Sequence, residues 1–283
     1  MSKKFYFMRL NDGVILLMTF FISLSIITAW FDKLERDLYG VKRGVTLDTV
    51  SCSRLMPSEV RLIVENMALR YEKIPVEPRI NKETGKIIDE QPGCIVDVEK
   101  TVANVMAAGE NERVKLITIP IKPRFTRLDI EKATSLRGDY STWFRGSGAR
   151  LNNIQLAVKS LNNTLIWPEN TFSFNETIGP RTPERGYLPA PVILGGGKNI
   201  DYGGGVCQVS STLYNAALQA GLQICERHTH SRPVGYVRAG MDAAVAYDYL
   251  DLKLKNRSIK PVIIKAGLDK GRIWTQIWGE EVR

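Results

Sequence analysis

This sequence is poor in the residues from which metal, nucleotide and phosphoester sites are built. Histidine occurs only as His228 and His230, and cysteine only as Cys52, Cys94, Cys207 and Cys225. No two cysteines stand at CxxC or zinc-ribbon spacing, which removes the usual closed structural zinc site. The glycine runs lack the Gly-Lys-Ser/Thr ending of a phosphate-binding P-loop. No arginine follows Cys207 at the short spacing that a cysteine phosphatase needs. Nucleic acid is not expected as a partner either, because the basic residues are scattered and show no finger spacing, aromatic RNA-binding signature or basic helix pair. No cofactor is implied.

What is present can bury a real core. The chain has 283 residues, 44% of them hydrophobic, which suits one large domain or two smaller ones. A formal net charge of +9 favours an acidic partner such as an anionic membrane surface or an acidic wall polymer. The even cysteine count would suit two disulfides in an oxidising compartment, but spacing does not say whether Cys52 and Cys94 pair.

The longest hydrophobic run lies near the amino terminus. Lys3, Lys4 and Arg9 precede residues 13–31, which carry no charge and are interrupted only by Thr19, Ser23, Ser25 and Thr28. A helix of about 20 such residues spans the hydrocarbon core, and Trp30 and Phe31 suit its interface. With no clear small-x-small cleavage site, an uncleaved signal anchor is expected. Lys33, Arg36, Lys42 and Arg43 follow it and weaken the charge asymmetry that would set its orientation.

Residues 40–133 read as a small α/β module. Pro57-Ser58-Glu59 opens a helix with Val60, Ile63, Val64, Met67 and Ala68 at helical spacing. A strand, turn and strand cover Pro75 to Ile88, a second helix runs from Val98 to Ala108, and Val114 to Pro120 alternates as a strand.

Residues 136–283 follow as a second unit. Tyr140 to Phe144 reads as a strand ending in a Gly-Ser-Gly turn, and Asn152 is placed to cap a helix through Leu161. Leu165 to Pro168 and Thr171 to Phe174 read as a hairpin around Glu169-Asn170. Arg181 and Arg185, in the loop Gly179 to Tyr187, can grip a carboxylate or phosphate. Leu250–Asn256, Val262–Ala266 and Ile273–Trp278 read as antiparallel strands.

The stretch Gly203-Gly204-Gly205-Val206-Cys207-Gln208 carries the chemistry. Val206, Val209, Leu213, Ala216, Ala217 and Ala220 recur at helical spacing after the glycines, and Gly221 closes the helix. Cys207 falls in the first turn, where the helix dipole and free amide groups favour a thiolate. A strand from Leu222 to Arg227 leads to His228 and His230, and Asp242 opens the next strand, Ala243 to Tyr247. The order Cys207, His230, Asp242 supplies a nucleophile, a base and a group to orient the imidazole, with Gln208 as an oxyanion donor. Residues two apart on a strand share a face, so spacing does not separate His228 from His230. His230 is preferred because it adjoins the Ser231-Arg232-Pro233 turn. Gly204, Gly205, His228 and Ser231 complete the expected substrate-binding set.

Two resemblances bear on this reading. Pro78-Arg79-Ile80, Thr84 to Ile88, Pro92-Gly93, Val96-Asp97-Val98 and Ile121 to Thr126 resemble the peptidoglycan-binding domain that precedes catalytic or VanW domains in some wall-associated bacterial proteins. From about Thr142 to Ala266 the chain closely resembles the VanW family. The matching words include Arg150-Leu151-Asn152-Asn153-Ile154, Thr171 to Asn175, Gly179-Pro180-Arg181-Thr182, Gly203 to Ser210, Glu226-Arg227-His228, His230-Ser231, Gly240 to Ala243 and Leu250 to Asn256.

The VanW resemblance implies a wall-facing protein of a Gram-positive bacterium from a family associated with glycopeptide resistance. It also implies a cytoplasmic tail over residues 1–12, a body outside the membrane, and peptidoglycan or its stem peptide as partner. It does not supply a reaction. A cysteine-dependent acyl-transfer or amide-cleaving enzyme acting on peptidoglycan peptides therefore stands beside a non-catalytic binding or scaffold protein. A metal site drawn from Cys225, His228, His230 and Cys207 is a third alternative. The expected fold is α+β: a transmembrane helix, a small α/β module, then a Cys207-bearing helix packed on a mainly antiparallel sheet.

Overall fold

The computed structural model describes residues 2–146, 148–194 and 197–281. Ser147, in the expected Gly-Ser-Gly turn, lies outside them. Two compact units are formed, one by residues 1–75 and 92–122 and the other by residues 76–91 and 123–283.

The first unit begins with the helix Ser2–Tyr39. Its portion Gly13–Tyr39 contains a stretch with a mean hydropathy of 2.3 and no buried residues, so among the described residues it is the helix long and apolar enough to cross a membrane. The helix continues beyond Phe31, where its last turns acquire polar partners. Arg36 pairs with Glu59 at 2.7 Å and Arg54 with Asp37 at 3.1 Å. The helices Pro57–Tyr71 and Val98–Ala107 pack together over a core containing Val41, Leu47, Val60, Val64, Val102 and Val105. Asp97 caps the second of them by accepting from the Lys100 amide at 2.9 Å.

The single strand expected from Val114 to Pro120 is instead two strands. Arg113–Val114 runs parallel to Thr46–Leu47, and Thr118–Ile121 pairs antiparallel with Gly93–Val96. Between them Ile117 accepts from the Asp97 amide at 2.9 Å and donates its own N–H to Thr101 Oγ1 at 3.1 Å, which diverts the main chain from a continuous ladder. Cys52 and Cys94 belong to this unit, and all four cysteines of the chain are free thiols.

The second unit centres on a four-stranded antiparallel sheet ordered Ser135–Trp143, Arg272–Gly279, Val262–Asp269, Thr164–Ile166. The helices Ala149–Leu161 and Val206–Gln219 pack on it and on each other. Their core joins Ile154, Leu161, Val209, Leu213 and Ala216 to Ile264, Ile273 and Ile277 from the strands. The approach is close: a Cβ at Gly138 would stand 2.1 Å from the Ala216 carbonyl oxygen, so only glycine lets the helix settle at that strand. Asn152 is not a cap, since the first helix opens after Gly148 and Asn152 lies within it, donating to the Gly186 carbonyl at 2.7 Å.

Residues 164–173 do not form the expected hairpin. Thr164–Ile166 ends the large sheet, whereas Thr171–Ser173 enters a second sheet with Lys253–Lys255 and Gln223–Glu226. Asn256 holds the crossing between sheets by donating its side chain to Ile166 O and its amide to Asn170 O, while its carbonyl accepts from the Glu169 amide. The fold is thus α+β with antiparallel sheets in the second unit, and the hairpin Arg79–Ile80 with Ile87–Ile88 groups with it through Lys82, bonded to Ser160 and Thr164.

Candidate active site

The glycine turn positions the helix that bears Cys207. Gly205 has φ 109°, a left-handed conformation natural to glycine, and begins the helix without a side-chain cap. A Cβ at Gly204 would lie 2.7 Å from Pro191 O, and one at Gly205 would lie 2.8 Å from Ile154 Cγ1. Both glycines expected to bind substrate are therefore required by the packing of the turn itself. Cys207 follows in the first helical turn and is half-buried.

The same helix buries two polar stripes beside its apolar face. Gln208 and Thr212, four apart, face the strand Ser135–Trp143. Gln208 Nε2 donates to Thr142 Oγ1 at 3.1 Å and Trp143 O at 2.9 Å, and its Oε1 accepts from Arg150 at 2.8 Å. Thr212 meets Thr142 at 2.8 Å. With both amide hydrogens engaged, Gln208 is a brace between helix and sheet and has no N–H left for an oxyanion. Ser210, Ser211 and Asn215 form the other stripe. Ser210 donates to Ala243 O at 2.6 Å, Ser211 accepts from the Ala243 amide at 2.9 Å, and Asn215 donates to Met241 O at 2.7 Å.

These side chains take main-chain groups that a strand would otherwise use. The segment Ala243 to Tyr247, expected as a strand, makes only isolated bridges, His228 with Ala244 and Ala246 with Leu250. The first of these still fixes a register. Stepping two residues outward from an antiparallel His228–Ala244 bridge leads to His230 opposite Asp242. Asp242 Oδ2 accepts from both the His230 amide and the His230 ring at Nδ1, each at 2.7 Å. Arg227 holds the other oxygen, Oδ1, at 3.2 Å and also donates Nε to the Asp242 carbonyl at 2.7 Å.

The His230 ring, largely buried with Asp242, stands near enough to Cys207 for each to shift the other's titration, while the hydrogen bond that the thiol makes is to the Val245 carbonyl oxygen. With Nδ1 on Asp242, Nε2 is the nitrogen left for sulfur. Burial by itself disfavours the thiolate, but the adjacent His230 ring and the charges of His230 and Arg181 outweigh it and hold the thiol below its ordinary value. Burial likewise disfavours the imidazolium, and Cys207 and Asp242 prevail to raise it. The Asp242 carboxyl, opposed by its own burial, is held low by the His230 amide and ring. The neutral thiol also has an acceptor, the Val245 carbonyl oxygen 3.3 Å from Sγ.

The other expected residues divide. His228 turns its Nε2 to Glu226 at 3.0 Å and does not share the Asp242 contact. Ser231 is exposed in the following turn. Arg185 is exposed and folds back to Pro180 O at 3.2 Å. Arg181 reaches the site: it donates Nη2 to Asn175 Oδ1 at 2.7 Å, and its charge acts on Cys207. Among the described residues no group of three or more Cys, His, Asp or Glu is arranged to hold a metal ion.

Two further residues belong to the setting and have no signature in the sequence. Tyr236 packs edge-on against the His230 ring, with centroids 6.5 Å apart and planes at 83°. Burial, together with the nearby Cys207 charge, pushes that phenol above its usual value. Arg227 stacks on Tyr214 at 5.0 Å while clamping Asp242. Each contact depends on the path of residues 227–245, which follows no regular period.

Residues 149–278 match the family model described as VanW like protein. The chain is 38% identical over 171 residues to the uncharacterized protein YoaR of Bacillus subtilis, covering 59% of this chain and 56% of that protein. It is 30% identical over 134 residues to the vancomycin B-type resistance protein VanW of Enterococcus faecalis, covering 46% of this chain and 49% of that one. The chain thus spans about half the length of the curated relatives it matches. No solved structure matches it. The matched segment runs from the first helix on the large sheet to its second strand and contains Cys207, His230 and Asp242, so the second unit of this chain carries a VanW-like domain.

Proposed function

We propose that this is a membrane-anchored protein whose VanW-like domain faces the cell wall and acts as a cysteine-dependent acyl-transfer or amide-cleaving enzyme on peptidoglycan peptides. The observation that carries the reading is the His230–Asp242 pair set beside Cys207, with the thiol held below and the imidazole above their ordinary values by one another. The Gly13–Tyr39 helix serves as the anchor, residues 40–133 as the peptidoglycan-binding module, and the net charge of +9 favours an acidic wall.

In the first half-reaction the Cys207 proton resides on His230 Nε2 and the thiolate attacks the scissile carbonyl carbon. Asp242 keeps Nδ1 protonated and stabilises the imidazolium. As the tetrahedral adduct collapses, the C–N bond breaks and His230 returns its proton to the leaving amine, giving a thioester on Cys207. Water or a second amine then attacks the thioester with His230 as base, and the thiol is restored. The test is to compare wall-peptide digests made with the purified protein and with Cys207→Ala. Loss of products in the variant is expected; identical products would overturn the reading.

One observation favours a binding protein without catalysis: the Cys207 thiol donates at 3.3 Å to the Val245 carbonyl, a contact available only to the neutral form. Peptidoglycan retention by Cys207→Ala, together with a thiol of ordinary reactivity, would support this second reading.

A further inference from the structure

Arg181 is half-buried, with the Nη1 end of its guanidinium buried and unused. Its stem rests on the glycine turn, since a Cβ at Gly203 would meet Arg181 Cγ at 2.8 Å, and this turn opens the Cys207 helix. Nη2 is tied to Asn175, whose own amide is anchored on Ala246 O and Leu250 O. The Tyr247 ring lies 5.8 Å from the guanidinium carbon. Nη1 is buried without a hydrogen-bond partner, and so is the hydroxyl of Tyr187, a residue only 2% exposed. The nearby carboxylate, Asp251, is occupied by Ser173 Oγ, the Asn175 amide and the Leu252 amide. No Asp or Glu forms a salt bridge with Arg181 among the described residues.

A guanidinium nitrogen and a hydroxyl, both buried without acceptors and acting on one another through their charges, mark a site for an anion. Arg181 hangs through Asn175 on Ala246 O and Cys207 donates to the adjacent Val245 O, and this place beside the thiol makes that anion part of the molecule presented to Cys207. We propose that Arg181 Nη1 and Tyr187 Oη form a carboxylate subsite, so that the substrate is a peptide with a free carboxylate close to the bond attacked. This rests on Cys207 being the nucleophile. A carboxylate there accepts one bond from Nη1 and one from the phenol, while Asn175 and Gly203 keep the guanidinium from swinging away. Arg185, exposed and turned back on Pro180, has no part in it.

The test uses the full chain and compares alkylation of Cys207 by iodoacetate and iodoacetamide, read at that cysteine by peptide mass spectrometry. The two reagents form the same S–C bond with loss of iodide and differ in carrying a carboxylate or a neutral amide. The ratio of the iodoacetate rate to the iodoacetamide rate is expected to fall about tenfold in Arg181→Gln, as for loss of a charge-assisted bond. It should fall less in Tyr187→Phe and be largely retained in Arg181→Lys. Taking a ratio cancels any change in thiol ionisation, because both reagents meet the same thiolate. Tyr187→Phe and Arg181→Lys keep the test decisive if Arg181→Gln does not fold. An unchanged ratio in Arg181→Gln, or in Tyr187→Phe where only that variant folds, would overturn the subsite while leaving the nucleophile in place. A Cys207 inert to both reagents would overturn the nucleophile and the subsite together.

Discussion

Asp242 grips His230 at two points, taking the main-chain N–H and the ring Nδ1 on the same carboxylate oxygen, each at 2.7 Å. One contact fixes where the residue stands and the other fixes how its ring turns. Arg227 immobilises the carboxylate from the opposite side. The imidazole is thus held in one orientation, and its tautomer is selected by the group bound at Nδ1.

Asp242→Asn is therefore expected to lower turnover by about 10²–10⁴-fold while Cys207 remains accessible to alkylation. Single-turnover rates on the wall-peptide substrate, compared with those of Cys207→Ala, check this. Activity within twofold of the parent would argue against an orienting carboxylate.

The same carboxylate carries a pH signature. Its pKa is depressed in the folded protein, so its ionised form stabilises the fold above the unfolded carboxyl value of about 4, and that contribution is lost as pH falls through the depressed folded value. Denaturant unfolding should find Asp242→Asn less stable than the parent by about 1–3 kcal/mol at neutral pH. The gap should close in acid. A gap constant with pH would assign the effect to packing.

Cys207 should alkylate at pH values below the ordinary thiol range of about 8.5, because its thiolate is favoured by His230 and Arg181 against the opposing effect of burial. His230→Ala should move that inflection upward. His228→Ala, whose ring is bound to Glu226, should leave it unchanged. A shift caused equally by both substitutions would dissolve the distinction between the two histidines.

Gln208→Leu should cost about 2–4 kcal/mol in urea unfolding. It strands Trp143 O and Arg150 and takes one of two partners from Thr142. An oxyanion donor would instead show undiminished stability with reduced turnover, and that pattern would restore the role its position in the sequence suggests.

Gly205→Ala places a Cβ on a residue at φ 109° and 2.8 Å from Ile154. A loss of about 1–3 kcal/mol is expected from the backbone strain alone. A variant as stable as the parent would mean that the turn can relax.

Much of this was legible in the sequence. The apolar period after the glycines gives the Val206–Gln219 helix and places Cys207 in its first turn, because both follow from local geometry. The hydrophobic run gives the Gly13–Tyr39 helix for the same reason. Pairing was less legible. Leu165 to Phe174 has every local mark of a hairpin, but its two halves find stronger partners in Val262–Ile264 and Lys253–Lys255, some 80 to 100 residues later in the chain. Gln208 stands in the right place for a catalytic donor, and only the strand folded beside it shows that its amide is already used.

The sequence by itself determined the position of Cys207, because a glycine turn followed by a periodic apolar face dictates a helix start wherever it occurs. It supplied two histidines and left both available. The choice between them was made by the tertiary structure. The buried serines and Asn215 of the helix dock residues 241–243, and the His228–Ala244 bridge then sets a register in which His230, rather than His228, stands opposite Asp242. No local pattern encodes that register, because its hydrogen bonds join segments brought together only when the helix is packed.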